Sequence, residues 1–319
     1  VYLRGCVSAR IRHALEELPK TLDENYAHTL RGINEGSWEI AHRLFQCVTV
    51  ASRPLRVEEL AEFLAFDFET GSIPTFLAGW RPEDPVHAVL STCCSLLAVV
   101  TVESSSVIQF SHFSAKEFLT SDRLSKADDA ISRYHVSMSQ AHTVVAQACL
   151  GILLHLDDNI TSDSLENFPL AEYAGEHWVG HAKFEDVSRK VEDGMKSLFN
   201  PRRPHFPVWI WIYDPENAWH RIWRPKKPSQ PGQSPLYYAI LLGLHTIVSS
   251  LVIERSQDVN APNSHHSTLL HLTTRLGHVE VARVLLEHGA DATARDKDGR
   301  TPLHYMWRHL TDMRKSHAT

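Results

Sequence analysis

A chain of 319 residues, 43% hydrophobic and 22% charged, has the composition of an ordinary globular protein with room for two or three domains. Its formal charge of −6 argues against a chain-wide basic footprint for nucleic acid, and no run of 18 apolar residues is present to span a membrane. Five cysteines (Cys6, Cys47, Cys93, Cys94 and Cys149), an odd number without CxxC spacing, read as reduced thiols of a cytoplasmic protein.

The chain opens on Val1-Tyr2-Leu3-Arg4 without an initiating Met or a signal peptide, as a fragment of a longer product would. Residues 11–31 predict helix, turn, helix. Ile11, Ala14, Leu15 and Leu18 share a face, Pro19 breaks it, and Leu22, Tyr26 and Leu30 form the next, with Thr21 and Glu24 placed as a cap. A third helix is expected over Trp38–Val50, with Ile40, Ala41, Leu44, Phe45 and Val48 inward. A fourth is expected over Arg56–Ala65, with Val57, Leu60, Ala61 and Leu64 inward. Gly71, Pro74, Gly79, Pro82 and Pro85 make 67–85 a loop, and Val86–Leu97 a fifth helix.

The period then changes. Leu97–Val102 and Val107–Phe110 are strand-like on either side of the polar turn Glu103–Ser106, which predicts a hairpin. A helix from Ser114 to Leu119 follows, with Ser114 and Glu117 spaced as a capping box. Three helices followed by a hairpin is the order of a winged helix, assigned to residues 36–122 after a helical segment 1–35. The helix that would enter a DNA groove, 86–97, carries His87 and no Lys or Arg, so nucleic acid is not expected as a partner.

Residues 123–205 read as a helical spacer. Apolar residues recur at three- and four-residue steps over 131–156, Pro169 opens a helix through Trp178, and Val187–Phe199 forms another. Seven prolines between 200 and 233 surround Trp209, Trp211, Tyr213, Trp219 and Trp223. We expect 206–232 to be a linker, or a cap over the first repeat unit that follows, in preference to an aromatic ligand cage. Arg221, Arg224, Lys226 and Lys227 form a basic patch too short to imply nucleic-acid binding.

Residues 233–319 repeat. Thr268-Leu269-Leu270-His271, Gly277-His278, Val281–Leu286 and Gly289-Ala290-Asp291 lead through Asp298-Gly299 to Thr301-Pro302-Leu303-His304, a step of 33 residues. Ser234-Pro235-Leu236-Tyr237-Tyr238-Ala239, Gly243 and Asp258–Ala261 fall in the same frame 34 residues upstream of Thr268. The glycines sit where short helices must end, and Val281, Ala282, Leu285 and Leu286 form one apolar face expected to be buried by stacking. Motif and period closely resemble the ankyrin-repeat family. Leu269 replaces the expected Pro, Thr273-Thr274 replace a small Ala pair, and Met306-Trp307 and Leu310 leave the last unit incomplete, giving about two and a half units. The resemblance implies a stacked surface for a protein partner, with hairpin tips and first-helix faces exposed, and hence Arg295, Lys297, Asp298 and Arg300 as partner-binding residues.

A second resemblance covers roughly residues 1–200. Leu18–Tyr26, Pro54–Leu60, Leu170-Ala171-Glu172-Tyr173-Ala174 with His177-Trp178, and above all Phe110-Ser111-His112-Phe113-Ser114-Ala115-Lys116-Glu117-Phe118-Leu119 are similar to the segment after the NTPase core of fungal NACHT-type signalling proteins. These belong to the STAND class of switch ATPases, many of which end in ankyrin repeats. In that family the His of the last motif, here His112, contacts the β-phosphate of a bound nucleotide and holds the closed state. An imidazole N–H suits a phosphate oxygen. This chain has no Gly-x-x-x-x-Gly-Lys-Ser/Thr loop, so His112 has that role only beside an upstream core, and the cofactor expected of the chain itself is none, with ATP or GTP reserved for a longer form. No Gly-x-Ser-x-Gly elbow or zincin spacing occurs, so no catalytic residue and no metal ligand is assigned.

The fold class expected is mostly α: a helical winged-helix region with one β-hairpin, a helical spacer, then a short ankyrin-repeat solenoid. The function expected is non-catalytic protein interaction in a signalling switch protein, with a nucleotide-dependent ATPase or GTPase as the alternative and a DNA-binding winged helix as a weaker one. Self-association is left open for a full-length form.

Overall fold

The structure is a computed structural model that describes residues 21–102, 105–217, 225–255, 258–260, 262 and 266–306. The expected helix over 11–18, Trp219, Trp223 and the end of the last repeat lie outside these residues. The chain divides into two compact units, one of Val1–Gly151 with Gly180–Ser188 and one of Ile152–Val179 with Arg189–Thr319.

The first unit begins with α1 (Leu22–Arg31). Thr21 Oγ1 accepts from the Glu24 amide at 3.2 Å, and acidic residues in the first turn with His28 and Arg31 in the last complement the helix dipole. In α2 (Trp38–Val50) Ala41, Leu44, Phe45 and Cys47 are fully buried, but Ile40, expected inward, is exposed. The fourth predicted helix is split. Leu55–Arg56 is a strand, β1, followed by α3 (Val57–Ala61) and a tighter 3₁₀ turn over Glu62–Ala65, which turns Phe63 inward. This corner is held by the buried Glu59 carboxylate, which accepts from Arg53 Nη1 and Nη2 at 2.8 and 2.7 Å and from the Arg56 amide at 2.7 Å. Burial opposes its charge, yet these donors hold its pKa below the ordinary carboxylate value.

The stretch expected as a loop contains a small antiparallel ribbon, β2 (Phe66–Asp67) with β3 (Thr75–Phe76). Helix α4 (Pro85–Cys93) ends four residues earlier than expected, and a 3₁₀ turn leads into β4 (Leu97–Val102). Strand β5 (Ser105–Phe110) pairs with β4 from Leu97↔Phe110 to Val102↔Ser105 and with β1 through Leu55↔Ile108, so the sheet order is β1-β5-β4. Helices α2, α3 and α4 with this hairpin wing make a winged helix. Helices α5 (Phe113–Leu119), α6 (Asp122–Ser125), α7 (Asp129–Ser132) and α8 (Met138–His155) follow. Gly151 of α8 lies so close to the β2–β3 ribbon that a Cβ would meet Pro74 O at 2.8 Å and the Phe66 ring at 2.9 Å.

The second unit contains α9 (Ser162–Leu165), most of α10 (Leu170–Ala182), the second half of α11 (Val187–Lys190) and α12 (Glu192–Leu198). Leu170, Tyr173, Ala174 and Trp178 of α10 are fully buried. Residues 206–212, in the stretch expected as a linker or a cap over the first repeat, lie in a helix, α13 (His205–Ile212), with Phe206 and Val208 to Ile212 all buried and the Phe206 and Trp209 rings against Tyr238 of the first repeat at 5.7 and 6.5 Å, as a cap would be. Trp209 Nε1 donates to Gly175 O at 2.9 Å, and its ring meets those of Trp178 and Phe199 at 5.5 Å each. Trp211 Nε1 donates to Pro225 O at 2.8 Å. Phe206, Trp209 and Trp211 are therefore core, with both indole N–H groups of α13 satisfied.

Two helical hairpins complete the unit: α14 (Pro235–Leu241) with α15 (His245–Arg255), and α16 (Leu269–Leu276) with α17 (Val279–Glu287). Residues 302–306 begin a further helix. Gly243 and Gly277 take positive φ, +65° and +73°, where each hairpin turns. A Cβ on Gly243 would also meet the His278 ring at 2.9 Å. Among the described residues no helix is long and apolar enough to cross a membrane.

Candidate interaction surface on the helical repeats

Each repeat opens with a hydroxyl cap. Ser234 Oγ accepts from the Tyr237 amide at 3.2 Å. In the next repeat, His271 Nδ1 accepts from the Thr268 amide at 3.1 Å and lies 2.9 Å from Thr268 Oγ1. The same ring places Nε2 at 3.1 Å from Arg300 O, so one buried imidazole ties its own helix start to the tip that follows. Thr301 and His304 repeat the cap at 3.1 Å. Between the repeats, Asn260 Nδ2 donates to Gly289 O at 2.9 Å and its Oδ1 accepts from the Asp291 amide at 2.7 Å. Stacking is thus written in polar bonds as well as in Val281 and Leu285, which are buried at 1% and 0% exposure. Leu286, expected on the same buried face, is 48% exposed, and Ala282 is half-buried.

The tip that holds the expected partner-binding residues is a tight turn organised by Asp296, which the sequence reading did not single out. Asp296 Oδ1 accepts from the amides of Asp298 and Arg300 at 2.9 Å each, and Oδ2 accepts from the Tyr305 hydroxyl at 2.6 Å. The Tyr305 hydrogen bond is the main reason its carboxyl titrates below the ordinary range; partial burial opposes it, and the two amides add to it. Gly299 closes the turn at φ +73° and donates to Asp296 O. Arg295, Lys297, Asp298 and Arg300 are all exposed around this fixed loop. Arg295 Nη1 donates to Gly299 O at 2.8 Å and Arg300 lies 3.3 Å from Asp298 Oδ2. Lys297 and Asp298 also line a groove of about 570 Å³, together with Leu236, Tyr237, Leu269, His271, Arg275 and Tyr305. Tyr237 donates to Glu216 Oε1 at 2.5 Å; burial first, then this carboxylate, push its phenol up to about 12.

His112 belongs to the first unit, where it is the N-cap of α5 in place of the Ser114–Glu117 box. Its Nδ1 accepts from the Ser114 amide at 3.2 Å and lies 2.6 Å from Ser114 Oγ, which in turn lies 2.7 Å from the Tyr26 hydroxyl. With Nδ1 accepting, the neutral ring carries its proton on Nε2. The side chain is exposed, and Phe113 beside it is 70% exposed. No group of three or more His, Cys, Asp or Glu side chains among the described residues is placed to hold a metal ion.

Residues 236–312 match the family model described as ankyrin repeats (3 copies). These are ankyrin repeats. Residues 30–132 match the model of the GPI inositol-deacylase winged helix domain. Over 293 residues, 87% of its length, the chain is 29% identical to azaphilone pigments biosynthesis cluster protein L of Monascus ruber, and it spans 61% of that relative. The ankyrin region alone is 39% identical over 72 residues to human ankyrin repeat domain-containing protein 13B, covering 23% of this chain and 12% of that protein. It is 44% identical over 59 residues to the NF-kappa-B inhibitor cactus of Drosophila yakuba, 18% of this chain and 12% of that one.

Proposed function

We propose that this chain is a non-catalytic protein-interaction module, the winged-helix and ankyrin part of a NACHT-type signalling switch protein, which captures a protein partner on its ankyrin surface in the cytoplasm. The observation that carries this reading is the groove beside the Asp296 turn, a preformed surface edged by exposed charges held on a rigid loop. Preorganised loops lose little entropy on binding. Nucleic acid has no counterpart in this reading, because helix α4 presents Val86, His87 and Ser91 and no cation. The test is capture of partners from lysate by wild-type chain and by the double variant Lys297→Glu/Arg300→Glu. The variant is expected to keep its melting temperature and lose partners that the wild type retains. Identical partner sets from two equally folded baits would refute it.

His112 supports a second, linked reading. Its cap uses Nδ1 alone and leaves Nε2–H toward solvent, the arrangement a phosphate contact needs. In a longer form carrying a phosphate-binding loop, this nitrogen would donate to the nucleotide and bias the closed state, and ATP or GTP would be the cofactor. The 319-residue chain is expected neither to bind nor to hydrolyse nucleotide. Calorimetric titration with Mg-ATP that gave saturable micromolar binding would overturn that.

A further inference from the structure

Arg133, at the end of α7, is a half-buried cation whose guanidinium makes no hydrogen bond or ion pair among the described residues. Its Nε is fully shielded without a partner. The group lies over two aromatic rings instead, 5.3 Å from the Trp38 ring centre and 5.5 Å from that of Tyr134. Such stacking is attractive, but it leaves the in-plane N–H groups of the fork unused. Only Nε is shielded; the two terminal nitrogens are open to solvent and carry no partner among the described residues, so they are the part of the fork a ligand can reach.

The guanidinium borders an open groove of about 550 Å³ within the first unit. Trp38 and His42 of α2, Ser132 of α7, Gln140 of α8 and, between those two helices, His135 also line it, with Ser125 of α6, whose hydroxyl already donates to Asp122 O at 2.9 Å. His42 donates through Nε2 to His135 O at 3.0 Å, and burial first lowers its pKa, so it is neutral near pH 7 and Arg133 is the groove's permanent cation. A carboxylate and a phosphate both match the planar fork in two parallel bonds, but only a phosphate has a further oxygen to accept from Ser132 or Gln140 on the same groove.

We propose that this groove binds a phosphate oxyanion, with Arg133 as the anchoring residue and Trp38 holding the guanidinium plane in place. Asp129 lies exposed on the same rim and acts against the anion, so it sets an upper limit on affinity that its removal should lift.

The test is ligand-observed ³¹P NMR with the full 319-residue chain at constant ionic strength, using inorganic phosphate and phenyl phosphate as probes. Saturable broadening with a dissociation constant on the order of millimolar is expected. Arg133→Lys, which keeps the charge and loses the fork, should weaken binding about tenfold, and Asp129→Asn should tighten it several-fold. Circular dichroism melts identify any variant that fails to fold, and Arg133→Lys and Asp129→Asn are both conservative enough to decide the matter where Arg133→Ala is not. Tighter binding of phenyl phosphate than of inorganic phosphate would identify an ester carried beside Trp38, and equal binding the free anion. Absence of broadening in wild type, or broadening unchanged in both variants, would overturn the proposal.

Discussion

Leu285 and Leu286 are neighbours of identical chemistry on α17, and the structure separates them completely. Leu285 has no exposed surface and Leu286 is 48% exposed. Replacing Leu285 by Ala removes three carbons from the interior, about 2.5 kcal/mol of transfer free energy at roughly 0.8 per carbon. The residual cavity should bring the loss to about 3–5 kcal/mol. The same change at Leu286 removes surface that water already covers by half, and should cost about 1 kcal/mol. Helix α17 packs against both α16 and α15, so the larger loss should spread through the hairpins rather than stay in one helix. The assay is native-state hydrogen exchange of the amides in α16 and α17, with those of α2 as an internal reference. A difference of 2 kcal/mol corresponds to about thirty-fold faster opening in Leu285→Ala than in Leu286→Ala. Equal acceleration in the two variants would show that the packing side of α17 is wrongly assigned. Acceleration at Leu285→Ala confined to α17 would show that the repeats do not open together.

Two further predictions rest on single hydrogen-bond sets. Asp296 has a folded pKa below its unfolded one, so it contributes stability above the ordinary carboxylate value of about 4 and loses it as pH falls through the folded value; Tyr305→Phe should move that loss to higher pH, read from exchange of the Asp298 and Arg300 amides, and an unmoved midpoint would refute the assignment. His112→Leu should destabilise the chain by about 1 kcal/mol through loss of the α5 cap; no change in a urea melt would mean that the cap is dispensable and His112 is held only for another role.

The parts of the fold that were legible in the sequence are those whose cause is local. The two short β-branched runs on either side of the polar turn at 103–106 gave the wing, because such runs favour an extended backbone. The 33-residue step gave the repeats, because Thr268 with His271 and Thr301 with His304 are the same cap made twice. What was not legible is created by partners far away in sequence. Leu55–Arg56 is a strand only because Val107 and Ile108 pair with it. Helix α13 is buried on every side, so its apolar residues show no 3.6-residue stripe, and Pro207 falls in its first turn, where a missing amide donor is tolerated. Periodicity cannot find such a helix; the run Val208–Ile212, without a charge, was the available signal. The width of the apolar stripe also misled at Leu286, since only one edge of α17 meets its neighbours.

At the candidate sites, residue types were legible and the residues that position them were not. Four charges around Asp298-Gly299 could be read as a solvent-facing tip, and all four are exposed. Asp296 escaped because an Asp before a turn is read as a turn former, whereas its carboxylate gathers two amides and a phenol from nine residues on. That distinction bears on function: a loop tied at both carboxylate oxygens presents Lys297 and Arg300 in one geometry, so their reversal tests recognition and not folding. His112 follows the same logic at the other end of the chain. The Ser114–Glu117 spacing suggested that Ser114 caps α5, but an imidazole can accept at Nδ1 while donating at Nε2, which a hydroxyl bound to the same amide does with far less reach. One ring can therefore start a helix and still offer a donor to solvent, so the structural reading of His112 and the phosphate-contacting one are compatible, and only a nucleotide-bearing longer form separates them.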